Sequence, residues 1–319
     1  MKYIVTGATG FIGCALCKEL LTQGNEVVAI IRPNSKRIEK LHSLVGGDLD
    51  RKNRFQILEI SLDELNELST NYNIKADAFY HLAWNGSAGA DREDFDMQYS
   101  NIKYTAEAIR TAKACGCKVF IGAGSQAEYG VVREKTQEDA TVPNPFMMYG
   151  AAKIAAYEMG RVLAKQMGIT FVWPRIYSVY GVGENPGTLV NYVIDSLQKG
   201  EVPQLSSCDN MWNFIYIEDC VKMLHVLADS DSVQDGVYHV ASEDTRVLKS
   251  FVKEIRDIVA PEMQLGFGAR ESNPEKTFWL DPDTTKIFEI AGSCQWTFEQ
   301  GIREKLHDNS MYNNERSTR

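Results

Sequence analysis

Met1-Lys2-Tyr3-Ile4-Val5-Thr6-Gly7-Ala8-Thr9-Gly10-Phe11-Ile12-Gly13 is the stretch that decides the fold. Tyr3 to Thr6 is a short run rich in β-branched residues that reads as a buried strand, and apolar residues at helical spacing follow to about Leu21. Between the two stand Gly7, Gly10 and Gly13, each three residues from the next. The order is strand, tight turn, helix N-terminus. Unpartnered backbone N–H groups at a helix start, together with the positive end of its dipole, attract phosphate, and glycine lets the backbone come close to it. A dinucleotide pyrophosphate suits such a turn. Glycine turns that bind nothing are also common, so the reading needs context.

The 319 residues suit one large domain or two closely joined ones. Hydrophobic residues at 44% and charged residues at 24% are ordinary for a globular chain. A formal net charge of −9 argues against nucleic acid or an anionic membrane as partner, since neither is drawn to an acidic surface. The longest strictly aliphatic run, Val27 to Ile31, is too short to span a bilayer, and the glycine turn lies so near Met1 that no signal peptide is expected. The expectation is a cytoplasmic protein. Seven cysteines, with Cys14/Cys17 and Cys115/Cys117 lacking a second pair or histidines at zinc spacing, read as reduced packing residues, with no metal site.

Strand and helix patterns alternate through the first half, as a parallel sheet with crossover helices requires. Glu26 to Ile31 makes the second strand, and its end carries information about the cofactor. NAD-binding folds place an acid here, about 20 residues past the glycines, for the ribose 2′-OH, whereas a basic residue suits the 2′-phosphate of NADP. Ile31 stands in the acid's place, with Arg32 next and Lys36 and Arg37 after it. A solvated basic loop is the plainer alternative; we read NADP. Phe55 to Glu59 is the third strand, Ser61 to Glu64 fits a capping box opening a helix, and Ala78 to Ala83 is the fourth strand. His81, without metal partners, reads as a strand-end packing residue. Asn101 opens a helix to about Cys115, and Val119 to Ala123 is the fifth strand. Ser125 follows at its carboxyl end, where parallel strands face the ligand crevice, although a serine there could equally be a turn cap.

Tyr149-Gly150-Ala151-Ala152-Lys153 puts a phenol and an ammonium four residues apart on one face of a helix running to about Met167. Free tyrosine, with a pKa near 10, is a poor acid or base at neutral pH, and a nearby positive charge stabilises its phenolate. A surface Tyr and Lys at this spacing is common. Glycine turn, serine after the fifth strand and YxxxK in this order are not.

The spacing Gly7-x-x-Gly10-x-x-Gly13 differs from G-x-G-x-x-G and resembles the TGxxGxxG turn of the short-chain dehydrogenase/reductase superfamily. In its form TGATGFIG it is similar to the extended branch, the NAD(P)-dependent epimerase/dehydratase family. Ser125, Tyr149 and Lys153 resemble that superfamily's catalytic triad. The resemblance implies that Ser125 hydrogen-bonds the substrate oxygen, Tyr149 exchanges the proton, and Lys153 holds the nicotinamide ribose while tuning Tyr149. It places Thr9, Phe11 and Ile12 with the three glycines and Arg32 on the cofactor, Glu59 and Ile60 beside the adenine, and Leu82 and Ala83 behind the cofactor. Asn101 matches a helix asparagine with a structural and relay role, and Pro174 and Ile176 would neighbour the nicotinamide. Ser178 stands where the family usually has a substrate-binding asparagine. Trp212-Asn213 replaces the Arg-Asp of an RDFIYVDD-like segment, and Arg270 matches a second basic position used for the nucleotide diphosphate, or is a solvated loop arginine. The likeness covers about residues 1 to 303.

The expected fold is α/β: a Rossmann-type doubly wound parallel sheet over 1–175 and a smaller substrate-binding lobe over 176–303. Elements near 214–220 and 237–242 return to the first domain, and 304–319 forms a polar, frayed tail. The expected activity is NADP-dependent reduction of a nucleotide-linked keto-sugar, an NDP-4-keto-6-deoxyhexose; the alternative is an NDP-sugar 4-epimerase. A small-carbonyl reductase and a non-catalytic NADP-binding protein rank below both. Gln126-Ala127 after Ser125 departs from the Asp-Glu pair of sugar 4,6-dehydratases, and the Cys and later His of GDP-fucose-type epimerase-reductases are missing. The helices after Asn101 and Tyr149, the second with Ala151, Ala152, Ala155 and Ala156, correspond to those pairing across the family's homodimer axis.

Overall fold

Tyr3, Ile4 and Val5 are consecutive and all fully buried, which an isolated hydrophobic face cannot explain: the strand they form is covered by helices on both sides. The computed structural model describes residues 1–273 and 276–317, with 309–317 described by backbone alone. In chain order the first half comprises β1 (Lys2–Thr6), α1 (Phe11–Thr22), β2 (Glu26–Ile31), α2 (Glu39–Val45), α3 (Leu49–Arg54), β3 (Phe55–Glu59), α4 (Glu67–Thr70), β4 (Ala78–His81), α5 (Phe95–Ala114), β5 (Val119–Gly122), β6 (Gly124–Ser125), α6 (Met148–Met167) and β7 (Thr170–Ile176). There follow β8 (Ser178–Tyr180), α7 (Leu189–Gln198), β9 (Met211–Tyr216), α8 (Ile217–Asp229), β10 (Gly236–Val240), β11 (Thr245–Val247), α9 (Leu248–Val259), α10 (Thr285–Ala291) and α11 (Phe298–Ser317).

The main sheet runs β3-β2-β1-β4-β5-β7-β10, all parallel, with β6 prolonging the line of β5 against β7. The order reverses between β1 and β4, so the crevice beyond their carboxyl ends is the place for a ligand. One sheet face packs Tyr3, Val5 and Val27 against α1 and α8 through Leu16, Leu20 and Leu224. The other packs Ile4, Phe79, Phe120 and Trp173 against α5 and α6 through Ile109 and Ala156. A three-stranded sheet, β11-β9-β8, carries the smaller lobe, whose aromatic core brings Phe251 and Phe298 to 4.7 Å and Phe214 and Phe298 to 5.3 Å between ring centroids.

Several boundaries differ from expectation. Ser61 opens only a 3-10 turn, because its hydroxyl donates to the Glu64 carboxylate at 2.7 Å instead of accepting from the backbone. Asn101 lies inside α5, which starts at Phe95 under the Asp94 cap (Met97 N–H to Asp94 Oδ1, 2.8 Å). Of the segments expected to return to the first domain, β10 pairs with β7 and α8 packs on α1, whereas residues 214–216 of β9 pair with β8. α11 takes in most of the expected tail, and residues 318–319 lie outside the described residues. All seven cysteines are free thiols, and among the described residues no helix is long and apolar enough to cross a membrane.

Candidate active site

A cavity of about 650 Å³ opens over the carboxyl ends of β1, β4 and β6. Its floor is the glycine turn. Gly7 has φ +70°, and a Cβ there would come within 2.7 Å of the Ala83 nitrogen; a Cβ on Gly13 would collide with the Gly7 carbonyl. Only glycine lets β1, α1 and the end of β4 close up in this way. α1 has Gly10 at its N-cap, so no side chain caps it, and no acid stands in its first turn; Gly10, Phe11, Ile12 and Gly13 line the cavity, as does Thr9. Uncapped amides at a helix N-terminus facing an open cavity fit a pyrophosphate. Thr6 ties the back wall together, its Oγ1 accepting from Ala83 N–H at 3.3 Å and meeting His81 Nδ1 at 3.0 Å. Burial, then the charge of Lys153, lowers the His81 pKa to about 3, so the ring packs neutral as expected.

At one end Ile31, Arg32, Ser35, Arg37 and Ile60 line the wall, so the position for a 2′-OH-holding acid is aliphatic and flanked by guanidinium groups. Arg37 reaches across to the Asn185 side chain of the lobe, Nη1 to Oδ1 3.4 Å. At the other end the wall includes Leu82, Ala83, Ser125, Tyr149, Lys153, Ile176 and Ser178.

The sheet itself explains this second cluster. β5 breaks at Ala123 and resumes as β6, which frees the Ala123 carbonyl to accept from Lys153 Nζ at 2.6 Å. Ser125 both caps the turn and lines the cavity: its Oγ accepts from Ala127 N–H at 3.2 Å, and the Tyr149 phenol lines the same wall. Glu128, fully buried, accepts from Ser125 N–H (2.8 Å), Trp173 Nε1 (3.0 Å) and Arg175 Nε (2.7 Å), locking the turn behind the serine. Burial pushes the Tyr149 phenol above its usual value, and the Ser125 hydroxyl and the Arg92 guanidinium act against that. Burial holds the Lys153 ammonium well below its usual range, and Glu128 opposes the shift. Lys153 Nζ lies 3.4 Å from the centre of the Trp84 indole but 5.6 Å from that of Tyr149.

Five expected site residues lie off the cavity. Glu59 braces the basic loop, its carboxylate accepting from Asn34 N–H at 3.0 Å. Asn101 clamps Asn85, donating to its carbonyl and accepting from its N–H, both at 2.9 Å, and acts through that cavity residue. Pro174 is held inside β7 opposite Tyr238, between the registers of β5 and β6, where its missing N–H costs no ladder bond. Trp212 is in β9 against Phe214, and Arg270 donates to the Tyr192 hydroxyl at 3.3 Å. Sequence reasoning missed Trp84, Arg92 and Glu128. Trp84 directly follows the fourth strand, but Arg92 in a charged run and Glu128 beside a tyrosine carry no local signal.

A family model described as "NAD dependent epimerase/dehydratase family" matches residues 3–241. The chain is 26% identical over 296 residues to an uncharacterized UDP-glucose epimerase of Bacillus subtilis (strain 168), covering 90% of this chain and 91% of that one. It is 27% identical over 266 residues to dTDP-6-deoxy-L-talose 4-dehydrogenase (NAD(+)) of Aggregatibacter actinomycetemcomitans, covering 80% and 89%. The crystal structure of UDP-glucuronic acid 4-epimerase from Bacillus cereus, in complex with UDP-glucuronic acid and NAD, superposes with a TM-score of 0.81 at 22% identity, over 98% of this chain and all of that one (100%), which shows the shared fold. With the glycine turn, the Ser125-Tyr149-Lys153 wall and a family match over three quarters of its length, the chain belongs to the NAD dependent epimerase/dehydratase family of NAD(P)-dependent, oxidoreductase-type enzymes.

Proposed function

We propose that this protein reduces a nucleotide-linked keto-sugar, an NDP-4-keto-6-deoxyhexose, with NADPH. The observation that carries the reading is the wall where Ile31 stands in place of an acid and Arg32, Ser35 and Arg37 face the cavity. An acid there would repel a 2′-phosphate, whereas two guanidinium groups and a hydroxyl recognise one. NADPH is drawn from a reduced cellular pool and must exchange each turnover, which suits net reduction. When bound, the reduced nicotinamide supplies the hydride. The chain's part is the proton: Tyr149 donates it to the oxygen of the keto carbon while the Ser125 hydroxyl hydrogen-bonds the same oxygen. Lys153 spends one of its three donors on Ala123 and has the others for ribose hydroxyls. The lobe over 176–303 would take the nucleotide and sugar, with Ser178 at the cavity and Trp212 and Arg270 farther along.

The relative named as a 4-dehydrogenase of a dTDP-linked 6-deoxy sugar supports net redox chemistry at this position, and the one named as a UDP-glucose epimerase supports the second reading, an NDP-sugar 4-epimerase. One assay separates them. Stoichiometric loss of NADPH absorbance with a panel of nucleotide-linked 4-keto-6-deoxy sugars is expected. Interconversion of UDP-hexoses with no net change in nicotinamide absorbance, by protein that retains its cofactor through purification, would replace this reading with the epimerase.

A further inference from the structure

The charge closest to Tyr149 does not come from its YxxxK lysine. The Arg92 guanidinium carbon lies 4.4 Å from the Tyr149 ring centroid, inside the range of a cation–π contact, whereas Lys153 Nζ is 5.6 Å away, bonded to Ala123 and seated on Trp84. Arg92 stands in a short 3-10 turn, Gly89–Glu93, packed against α6. The turn is held there by Gln98 Nε2 donating to the Asp91 carbonyl (2.9 Å) and by Met148 N–H donating to Glu93 (3.3 Å). Arg92 Nε is buried and makes no hydrogen bond, and among the described residues no carboxylate pairs with the guanidinium. Arg92 is half-buried, so its charge is partly hydrated, and the group its guanidinium meets on the protein side is the Tyr149 ring.

We propose that Arg92 is a positioning residue for proton transfer: its guanidinium, lying against the ring of Tyr149, stabilises the phenolate through which Tyr149 exchanges its proton. The proposal rests on Tyr149 being the proton-exchanging group. The other groups around that ring are Lys153 on the same helix, Ser125 on β6, the neutral indole of Trp84, and Glu128, whose buried carboxylate acts in the opposite sense. Asp91 and Glu93 flank Arg92 at the exposed surface of its turn.

The test is the pH dependence of turnover for wild type, Arg92→Gln, Arg92→Lys and Tyr149→Phe, with NADPH plus a 4-keto-6-deoxy sugar nucleotide and with UDP-glucose as probes. Removing an opposite charge at this range raises a phenol's pKa by about one unit or more. The limb of the profile set by Tyr149 should therefore move up by that amount in Arg92→Gln, whichever direction the proton travels, and Arg92→Lys should recover most of it. The phenolate absorbance of the substrate-free protein, taken as each variant minus its Tyr149→Phe counterpart, should shift alike. Arg92→Gln with a changed KM or lower stability but the wild-type limb and titration overturns the proposal. Tyr149→Phe with wild-type turnover removes its premise instead, so the two failures are distinguishable.

Discussion

Single side chains carry the proposed recognition and the rigidity of the site, Arg32 the first and Glu128 the second. A charge-assisted contact to phosphate contributes about 1.5–3 kcal/mol, so Arg32→Ala should reduce any preference for NADPH over NADH by about 10- to 100-fold, read as the ratio of dissociation constants in fluorescence titrations. Equal affinities in the wild type would remove the inference. Glu128 matters in a different way. It holds Arg175, the Trp173 indole and the Ser125 amide on one carboxylate with no exposure to water, so Glu128→Gln leaves a buried guanidinium without a counter-charge. Breaking such a pair costs about 3–5 kcal/mol, and a matching drop in unfolding free energy should appear in urea titrations. Arg175→Met with Glu128→Gln should lose less than the single change.

Among elements, α5 and α6 carry the surface on which we propose a homodimer. Ala152 and Ala156, expected on that surface, are instead buried within the subunit, where Gly160 and Ala156 let α6 approach Ile109 and Phe171. What α5 and α6 present outward is Phe95 and Tyr99, 62% and 63% exposed and stacked at 6.0 Å, with Met159 at 61% and Val162 at 48%. The period of a helix tells which residues share a face but not which face meets the sheet, and the two alanine-bearing faces could not be ranked until α6 was seen against β7. Sedimentation should give a dimer at micromolar concentration, and Met159→Glu with Val162→Glu should give a monomer. A wild-type monomer would remove the proposal.

Acid stability belongs to the whole molecule. Burial lowers the pKa of His81 to about 3 and of His239 to about 4 from the usual 6.5. Between those values the unfolded chain binds protons that the folded chain does not, so stability is full above 6.5 and falls as the pH drops below it, by about 1.4 kcal/mol per unit for each ring. Glu138, Glu184 and Asp219 are raised by burial and act oppositely: the folded state takes up their protons first, at a pH above the ordinary carboxylate values and so inside the histidine window, which offsets part of the loss. Urea unfolding should therefore show lower stability at pH 5.5 than at pH 7.5, by at most about 2–3 kcal/mol, the two rings acting alone. His239→Gln should roughly halve the difference; an unchanged difference would show that the ring is not buried neutral.

The sequence by itself determined the parallel sheet, the glycine turn and the pairing of a serine with YxxxK, because each rests on local rules: a run of β-branched residues, glycine spacing, and the four-residue period of a helix face. Gly7, Ser125, Tyr149, Lys153 and Arg32 all reach the one cavity those rules implied. Only the tertiary structure decided which charges act on which groups. Lys153 is turned to a carbonyl freed by the break between β5 and β6, while Arg92, 57 residues before Tyr149 in the chain, is brought onto its ring by the packing of a surface turn on α6. Glu59 and Asn101 likewise work through Asn34 and Asn85, one step removed from the cavity. Coulomb and desolvation energies depend on distances across the fold, and no spacing along a single chain encodes them.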